Sequence, residues 1–337
     1  MDLSTHISND YTEFKFALTI DARSPGISSS SLVQNHFNFC YLNTSVIQQS
    51  SPFSNDIPFN RINTNDAIYK SLAFQHQDFD SISYVLDSAY ISEKIANSYP
   101  AGHSPDQPLN ILAGTNQLLY KPQGFYLDDF SGQLIFTPTL ANDIGVIVVA
   151  CQGFKNSGGQ MKLASVVRKD FECIVSNGSN NSPYFYGLTM TPWQACEGEI
   201  FSEDIYYKDE AIGGVNDTVY LSQLSTDIHK LDLVTTVEGF APFRSTNFNW
   251  IITPGLAQKD PYVFTMIAND SNCPKPGISY YNYRIKVSKA KQITATRKQV
   301  NCNVFEYTTV GNNQSDFLKK NIVNSLEIIP NVLLNAE

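Results

Sequence analysis

Bond-breaking chemistry needs a nucleophile with a base in reach, and the bases on offer here are His6, His36, His76, His103 and His229. Each stands alone in its own segment, without an H-E-x-x-H or H-x-H spacing, so neither a nucleophilic dyad nor a zinc hydrolase can be written from the chain. The adjacent acids Asp128/Asp129 and Glu197/Glu199 have the residue type of a glycosidase pair. Such a pair works from separate elements across several ångströms, whereas acids adjacent in sequence are ordinarily solvated. Six cysteines, Cys40, Cys151, Cys173, Cys196, Cys273 and Cys302, lie at long spacings with no C-x-x-C, which argues against zinc and against thioredoxin-type exchange. Cys151, inside "GVIVVACQGF", reads as a buried thiol. The glycines of "GFKNSGGQMK" (153–162) suggest a phosphate loop, but the stretch sits between two strand patterns with no helix after it and reads as a hairpin turn. No catalytic residue is assigned, and the chain is expected to be non-enzymatic.

Composition narrows the class further. The formal net charge is −9 and no lysine or arginine cluster exceeds "KAK" or "TRK", so a nucleic acid would be repelled. No apolar run is long enough to span a bilayer, so no transmembrane segment is expected. The N-terminus "MDLSTHISND" lacks a signal peptide's layout, which implies that an exported protein has lost its leader. Charged residues make up 16% of the chain, below the roughly 25% usual for soluble proteins, and Asn, Ser, Thr and Gln take their place, a usage that suits secreted proteins.

The elements that would position any site are strands. "FKFALTIDA", "AIYKSLAFQ", "SISYVLDSAY", "QLIFTP", "NFNWIIT" and "SYYNYRIKVSK" are short, rich in β-branched and aromatic residues, and bounded by turn formers. The best helical candidates are 89–97 ("AYISEKIAN") and 315–326, neither long enough to organise a fold. The fold class is all-β.

Internal similarity sets the organisation. "FTPTLANDIGVIVVACQG" (136–153) aligns with "ITPGLAQKDPYVFTMIAND" (252–270), so that Thr137, Pro138, Leu140 and Ala141 lie 116 positions before Thr253, Pro254, Leu256 and Ala257. The same spacing takes Arg168 to Arg284, and "SSPFSNDIPF" (50–59) is similar to "NSPYFYGLTMTP" (181–192). Two copies of one module are expected, 50–177 and 181–290, each the size of a seven-stranded sandwich. Residues 1–49 read as a partial β module and 291–337 as the start of a following one.

"PQGFYLDDFSGQLIFTP" (122–138) shows how such a module is built. Phe125 and Leu127 share one face of a strand, "DDFSG" turns, with Gly132 at positive φ and side-chain oxygens on the turn amides, and Leu134 and Phe136 resume the inward face. The aspartates thus read as turn formers. The stretch resembles the immunoglobulin-like and cadherin-like modules of bacterial surface proteins, as do "HQDFDSISYVL" and "IANDSNCPKPG". The resemblance implies tandem immunoglobulin/cadherin-like sandwiches from a Bacteroidetes-type surface protein, similar to gliding-motility-associated proteins and adhesins. It also implies an extracellular or cell-surface location, and other surface proteins, glycans or further copies of itself as partners.

Cadherin-like modules hold calcium at their junctions, and the resemblance would place ligands at Asp78, Asp80 and Asp270. The junction itself, "NGSNNSPYF" (177–185), has no carboxylate, so no cofactor is expected. If the strands run as in an immunoglobulin sandwich, Cys173 comes near Cys273 across the junction and Cys196 near Cys302, two candidate disulfides. The function expected is a stalk or spacer of a bacterial cell-surface adhesin, with modules joined end to end. The alternatives are a filament subunit completed by strand exchange and a carbohydrate-binding accessory protein.

Overall fold

The computed structural model describes residues 12–20, 23, 26–29, 35–46, 52, 61–72, 74, 79–178, 180–209, 219–225, 237–238, 243–258, 260–270, 276–289, 294–301 and 304–310. Its ordered elements are strands, and no described residue is helical. His6, His76, His229, Asp78, Cys273, Cys302 and the helical candidate 315–326 lie outside the described residues.

Two sandwiches share one strand plan. In the C-terminal one, Tyr184–Tyr186, Ile200–Lys208, Phe243–Ile251 and Val237–Glu238 form one sheet in that spatial order. Trp193–Cys196, Ile278–Ser288, Tyr262–Asp270 and Val219–Ser225 form the other. These are the A-B-E-D and G-F-C sheets of an immunoglobulin domain, with an added A′ strand, Trp193–Cys196, running parallel to G. In the N-terminal sandwich Ile68–Ser71, Gln133–Phe136 and Tyr126–Leu127 repeat B-E-D. Ser81–Leu86, Ile144–Ser157 and Gln160–Ser176 repeat C-F-G, and Arg61–Asn63 again runs parallel to G. The chain is therefore a tandem of immunoglobulin/cadherin-like β-sandwiches.

The repeat has a physical basis. Thr137–Pro138 and Thr253–Pro254 both follow strand E, where proline's missing N–H is harmless. Ile147, Val149 and Cys151 fill the first core as Phe264, Met266 and Ala268 fill the second, one residue off the 116 spacing. Arg168 and Arg284 are both on strand G, but not in equivalent register: Arg168 faces Ala150 and Arg284 faces Val263. The stretch 153–162 is the hairpin expected, turning at Gly158 and Gly159 with φ of 64° and 81°.

Two features depart from expectation. Residues 89–97 form not a helix but a narrow ribbon, Tyr90–Ser92 with Ile95–Ala96. Tertiary packing overrides the weak helical pattern, because Tyr90 pairs with Phe37 and stacks on the buried Arg168, whose guanidinium carbon lies 4.7 Å from the Tyr90 ring centre and 4.9 Å from that of Phe39. The segment 1–49 sends His36–Asn43 into the first sandwich's G-F-C sheet, antiparallel to Gln160–Ser176, and Glu13–Ile20 pairs along it. These strands widen the sheet, and Ile27 and Ala89 pack on its outer face against Val146 and Val148 as a small core.

Candidate functional site at the junction of the two sandwiches

The sandwiches are not joined end to end: a sheet edge of the second lies on a sheet face of the first. Strand Ile278–Ser288 is paired by Trp193–Cys196 only over Ile285–Ser288, which leaves its first half with an edge to close. Gln133 closes it. Its Nε2 donates to the Tyr280 carbonyl at 3.0 Å and its Oε1 accepts the Asn282 N–H at 2.7 Å, so one side chain makes the two bonds a neighbouring strand would make. Asn282 Nδ2 donates to the Ser131 carbonyl at 2.7 Å, and its Oδ1 accepts from Thr265 Oγ1 at 2.7 Å. Tyr69 and Ile135, cross-strand neighbours on the outer face of the B-E-D sheet, join the second sandwich's core, with Tyr69 edge-on to Tyr281 at 6.2 Å. Lys70 is 3% exposed, with its ammonium 4.5 Å from the centre of the Tyr280 ring.

The "DDFSG" turn forms as its residues dictate and then does more. Asp128 Oδ1 accepts the Ser131 N–H at 2.7 Å and the Phe130 N–H at 3.2 Å, the local bonding of a turn aspartate. Gly132 has φ of 69°, and a Cβ there would lie 2.8 Å from the Tyr84 ring, so only glycine fits. The other carboxylate oxygen of Asp128 accepts from Tyr126 Oη at 3.2 Å and meets Arg284 Nη1 of the second sandwich at 3.1 Å. Arg284 also donates to the Met190 carbonyl. A turn former is thereby also one half of an inter-sandwich ion pair.

A third cluster sits where the chain passes between sandwiches. Asp66, 4% exposed, accepts the Ser182 N–H at 3.1 Å and Ser182 Oγ at 2.8 Å. Asn180 Nδ2 donates to Asp270 at 2.7 Å, and the Gly277 N–H donates to the same carboxylate at 2.9 Å. A Cβ at Gly277 would fall 2.6 Å from the Ser182 Cα, so the close approach needs glycine. Asn65, Asp66, Tyr120, Lys121, Ser182 and Tyr184 line a cleft of about 80 Å³. Ligand pockets run to roughly 300–1,000 Å³ and a water takes about 30 Å³, so the cleft has room for solvent and not for a sugar ring.

Burial pushes the Asp66 carboxyl from the usual 3.8 up to about 6; the Ser182 bonds oppose the rise and the Asp270 charge adds to it. Between those two values the folded protein binds more protons than the unfolded chain, so stability falls as pH rises through that window. The expected loss is up to about 3 kcal/mol relative to Asp66→Asn, from the 1.36 kcal/mol carried by each pKa unit. Urea denaturation of both proteins at pH 4 and pH 7.5 measures it; parallel pH profiles would refute the assignment.

The residues singled out for chemistry are engaged elsewhere. Glu197 Oε1 accepts the N–H groups of Gly255 (2.9 Å) and Ala257 (2.7 Å), and Glu199 Oε1 accepts that of Cys196 at 2.6 Å. Both acids therefore pin loops. Asp80 takes Lys155 Nζ and the Asn156 N–H, each at 2.8 Å, beside the first sandwich's F-G hairpin, whereas Asp270 stands at the junction. These two calcium candidates do not share a partner, and among the described residues no three His, Cys, Asp or Glu side chains converge. Asp66 is the acid that the structure brings into electrostatic contact with Asp270, and the sequence reading missed it. Cys151 is fully buried and its thiol is pushed up to about 12, an inert core residue. Cys173 is also fully buried in the first core, and Cys196 is half-buried at the far pole of the second sandwich; the proposed mates of both, Cys273 and Cys302, lie outside the described residues. Tyr69, Gln133 and Asn282 went unremarked in the sequence, where the one available signal was the loss of alternation in "IYKS".

No family model and no curated protein matches the chain. Among solved structures it is similar to a titin fragment (13% identity, 71% of this chain and 100% of that one, TM-score 0.21). It is also similar to the full ectodomain of mouse nectin-like molecule 4 (12%, 75% and 76%, TM-score 0.24) and to Drosophila N-cadherin EC1-4 (12%, 87% and 63%, TM-score 0.23). The assignment to tandem immunoglobulin/cadherin-like sandwiches rests on strand order and pairing, not on these likenesses. Among the described residues no helix is long and apolar enough to cross a membrane.

Proposed function

We propose that the chain is a non-enzymatic structural or adhesive element of the cell exterior, a stiff spacer within a bacterial surface adhesin. In this reading 50–177 and 181–290 are its two modules, and surface proteins or glycans are its partners. The observation that supports it is the junction. A polar network closed by Gln133 and Asn282, the Asp128–Arg284 pair and the buried Tyr69 and Ile135 restrain bending between the sandwiches at several separated points. Small-angle scattering at low and high salt tests this. One maximum dimension in both conditions is expected, whereas a hinged pair would give a distribution that shifts with salt.

Calcium has no part in this reading, because the junction carboxylates Asp66 and Asp270 are matched by N–H and O–H donors. Melting curves with calcium and with chelator are expected to coincide, and a rise of several degrees with calcium would contradict that. One observation favours a second reading, self-association into a filament. Among the described strands Glu13–Ile20 has a single neighbour, and its Phe16 and Leu18 are exposed, the features of an edge that can accept another strand. A sedimentation coefficient independent of concentration would exclude it.

A further inference from the structure

Strand Glu13–Ile20 pairs with His36–Asn43 along its whole length without a bulge. Just before it, the Thr44 N–H donates to the Thr12 carbonyl at 2.7 Å in the same register, which fixes the phase of the ladder. The even-numbered residues of the strand direct their N–H and C=O groups to His36–Asn43, whereas Glu13, Lys15, Ala17 and Thr19 direct theirs to the outer edge. Side chains alternate with the same period. Phe14, Phe16 and Leu18 share one face, where the two phenyl rings stack at 6.4 Å and Phe16 and Leu18 are 42% and 61% exposed. Lys15, on the opposite face, is held by Glu93 at 3.2 Å and lies 4.3 Å from the centre of the Phe39 ring.

This edge lacks the devices that keep sheet edges apart: it has no proline, no bulge, and no charge among Phe14, Phe16 and Leu18. Two other edges are closed by the chain itself. Gln133 bonds to Ile278–Ser288, and the Tyr84 N–H of Ser81–Leu86 donates to the Asp129 carbonyl. With one acid and one base, Glu13–Ile20 is also locally neutral in a chain of net charge −9, so charge does not hold two such edges apart.

We propose that this edge pairs with the same strand of a second copy, antiparallel about a two-fold axis at Phe16. The register follows from phase and charge. Only the odd-numbered residues offer backbone groups to the edge, so they must face one another across it. An axis at Lys15 would set two ammonium groups directly opposite, and an axis at Ala17 would carry Glu13 past the end of the strand. With the axis at Phe16, Glu13 faces Thr19 of the second copy and Lys15 faces its Ala17, so that about eight backbone bonds form. Phe14 then meets Leu18, and Phe16 meets its own counterpart at the closely spaced, non-hydrogen-bonded position. The inference rests on the self-association reading and gives it a closed form, because two-fold pairing uses both edges and stops at a dimer.

The test is sedimentation velocity of the full chain at increasing concentration. Passage from monomer to dimer and no further is expected. Ala17→Pro removes an N–H that points to the edge and none that binds His36–Asn43, so dimerisation should weaken by about tenfold or more while the melting transition stays in place. If the proline disturbs the strand, Leu18→Lys at its exposed position puts a charge on the paired apolar face and is read in the same way. Oxidation reads the register. In a Cys40→Ala background, which removes the thiol paired with position 16, Phe16→Cys is expected to cross-link copies about tenfold or more faster than Leu18→Cys, since a disulfide needs Cβ atoms within about 4.5 Å. A monomer at every concentration overturns the proposal and the self-association reading together. Oligomers that grow beyond the dimer, a dimer that both edge variants leave intact, or equal cross-linking at the two positions overturn the two-fold pairing alone.

Discussion

Tyr69→Ala is expected to cost about 3–5 kcal/mol and to turn one cooperative thermal transition into two. Tyr69 is 2% exposed although it projects from the outer face of its own sheet, so its burial comes from the second sandwich, where it packs edge-on against Tyr281. Truncation would leave a cavity between the two bodies and remove the contact that makes them unfold together. The polar network beside it cannot compensate, since Gln133 and Asn282 hold their geometry only while the strand edge stays against the sheet face. Differential scanning calorimetry reads both effects. A single transition lowered by less than about 1 kcal/mol would mean that the Tyr69 contact is not what couples the two sandwiches.

The second large effect concerns the segment packed on the first sandwich's outer sheet. Arg23 donates two hydrogen bonds to Asp170, at 2.8 and 2.6 Å, with side-chain exposures of 4% and 0%. His36 lies 3.4 Å from the same carboxylate, but burial lowers its pKa, so at neutral pH Arg23 is the charge that balances Asp170. Asp170→Ala would strand a buried guanidinium, at an expected cost of about 3–5 kcal/mol, whereas the double replacement Arg23→Met with Asp170→Leu should recover most of the loss. Urea denaturation of the three proteins checks this. A double variant as unstable as the single one would show that the pair contributes hydrogen bonds that an apolar pair cannot replace, contrary to expectation.

Much of the fold was legible because its signals are local. Gly132 and Asp128 specify their turn through backbone sterics and bonds spanning three residues, and the turn forms with those bonds. The 116-residue spacing marks equivalent E strands, since at both Thr137–Pro138 and Thr253–Pro254 proline's missing N–H falls just past the strand's end. The candidate site was far less legible. Asp66 has no distinguishing neighbours in sequence: burial raises its pKa, and both the Ser182 donors that oppose the rise and the Asp270 charge that adds to it lie far away along the chain. Residues 89–97 misled for a related reason: the weak helical spacing of a short segment was outweighed by the packing of Tyr90 against Phe37 and Arg168.

By itself, then, the sequence determined the class of fold and the boundaries of its turns, because alternation, β-branching and turn chemistry act over a few residues. Only the tertiary structure decided that Ile68–Ser71 would be buried on both faces while Ile200–Lys208 keeps an outer face in solvent. Both strands carry a workable pattern for one inward face. What happens on the other face depends on which body the chain brings against it, and that depends on long-range packing that no local pattern records.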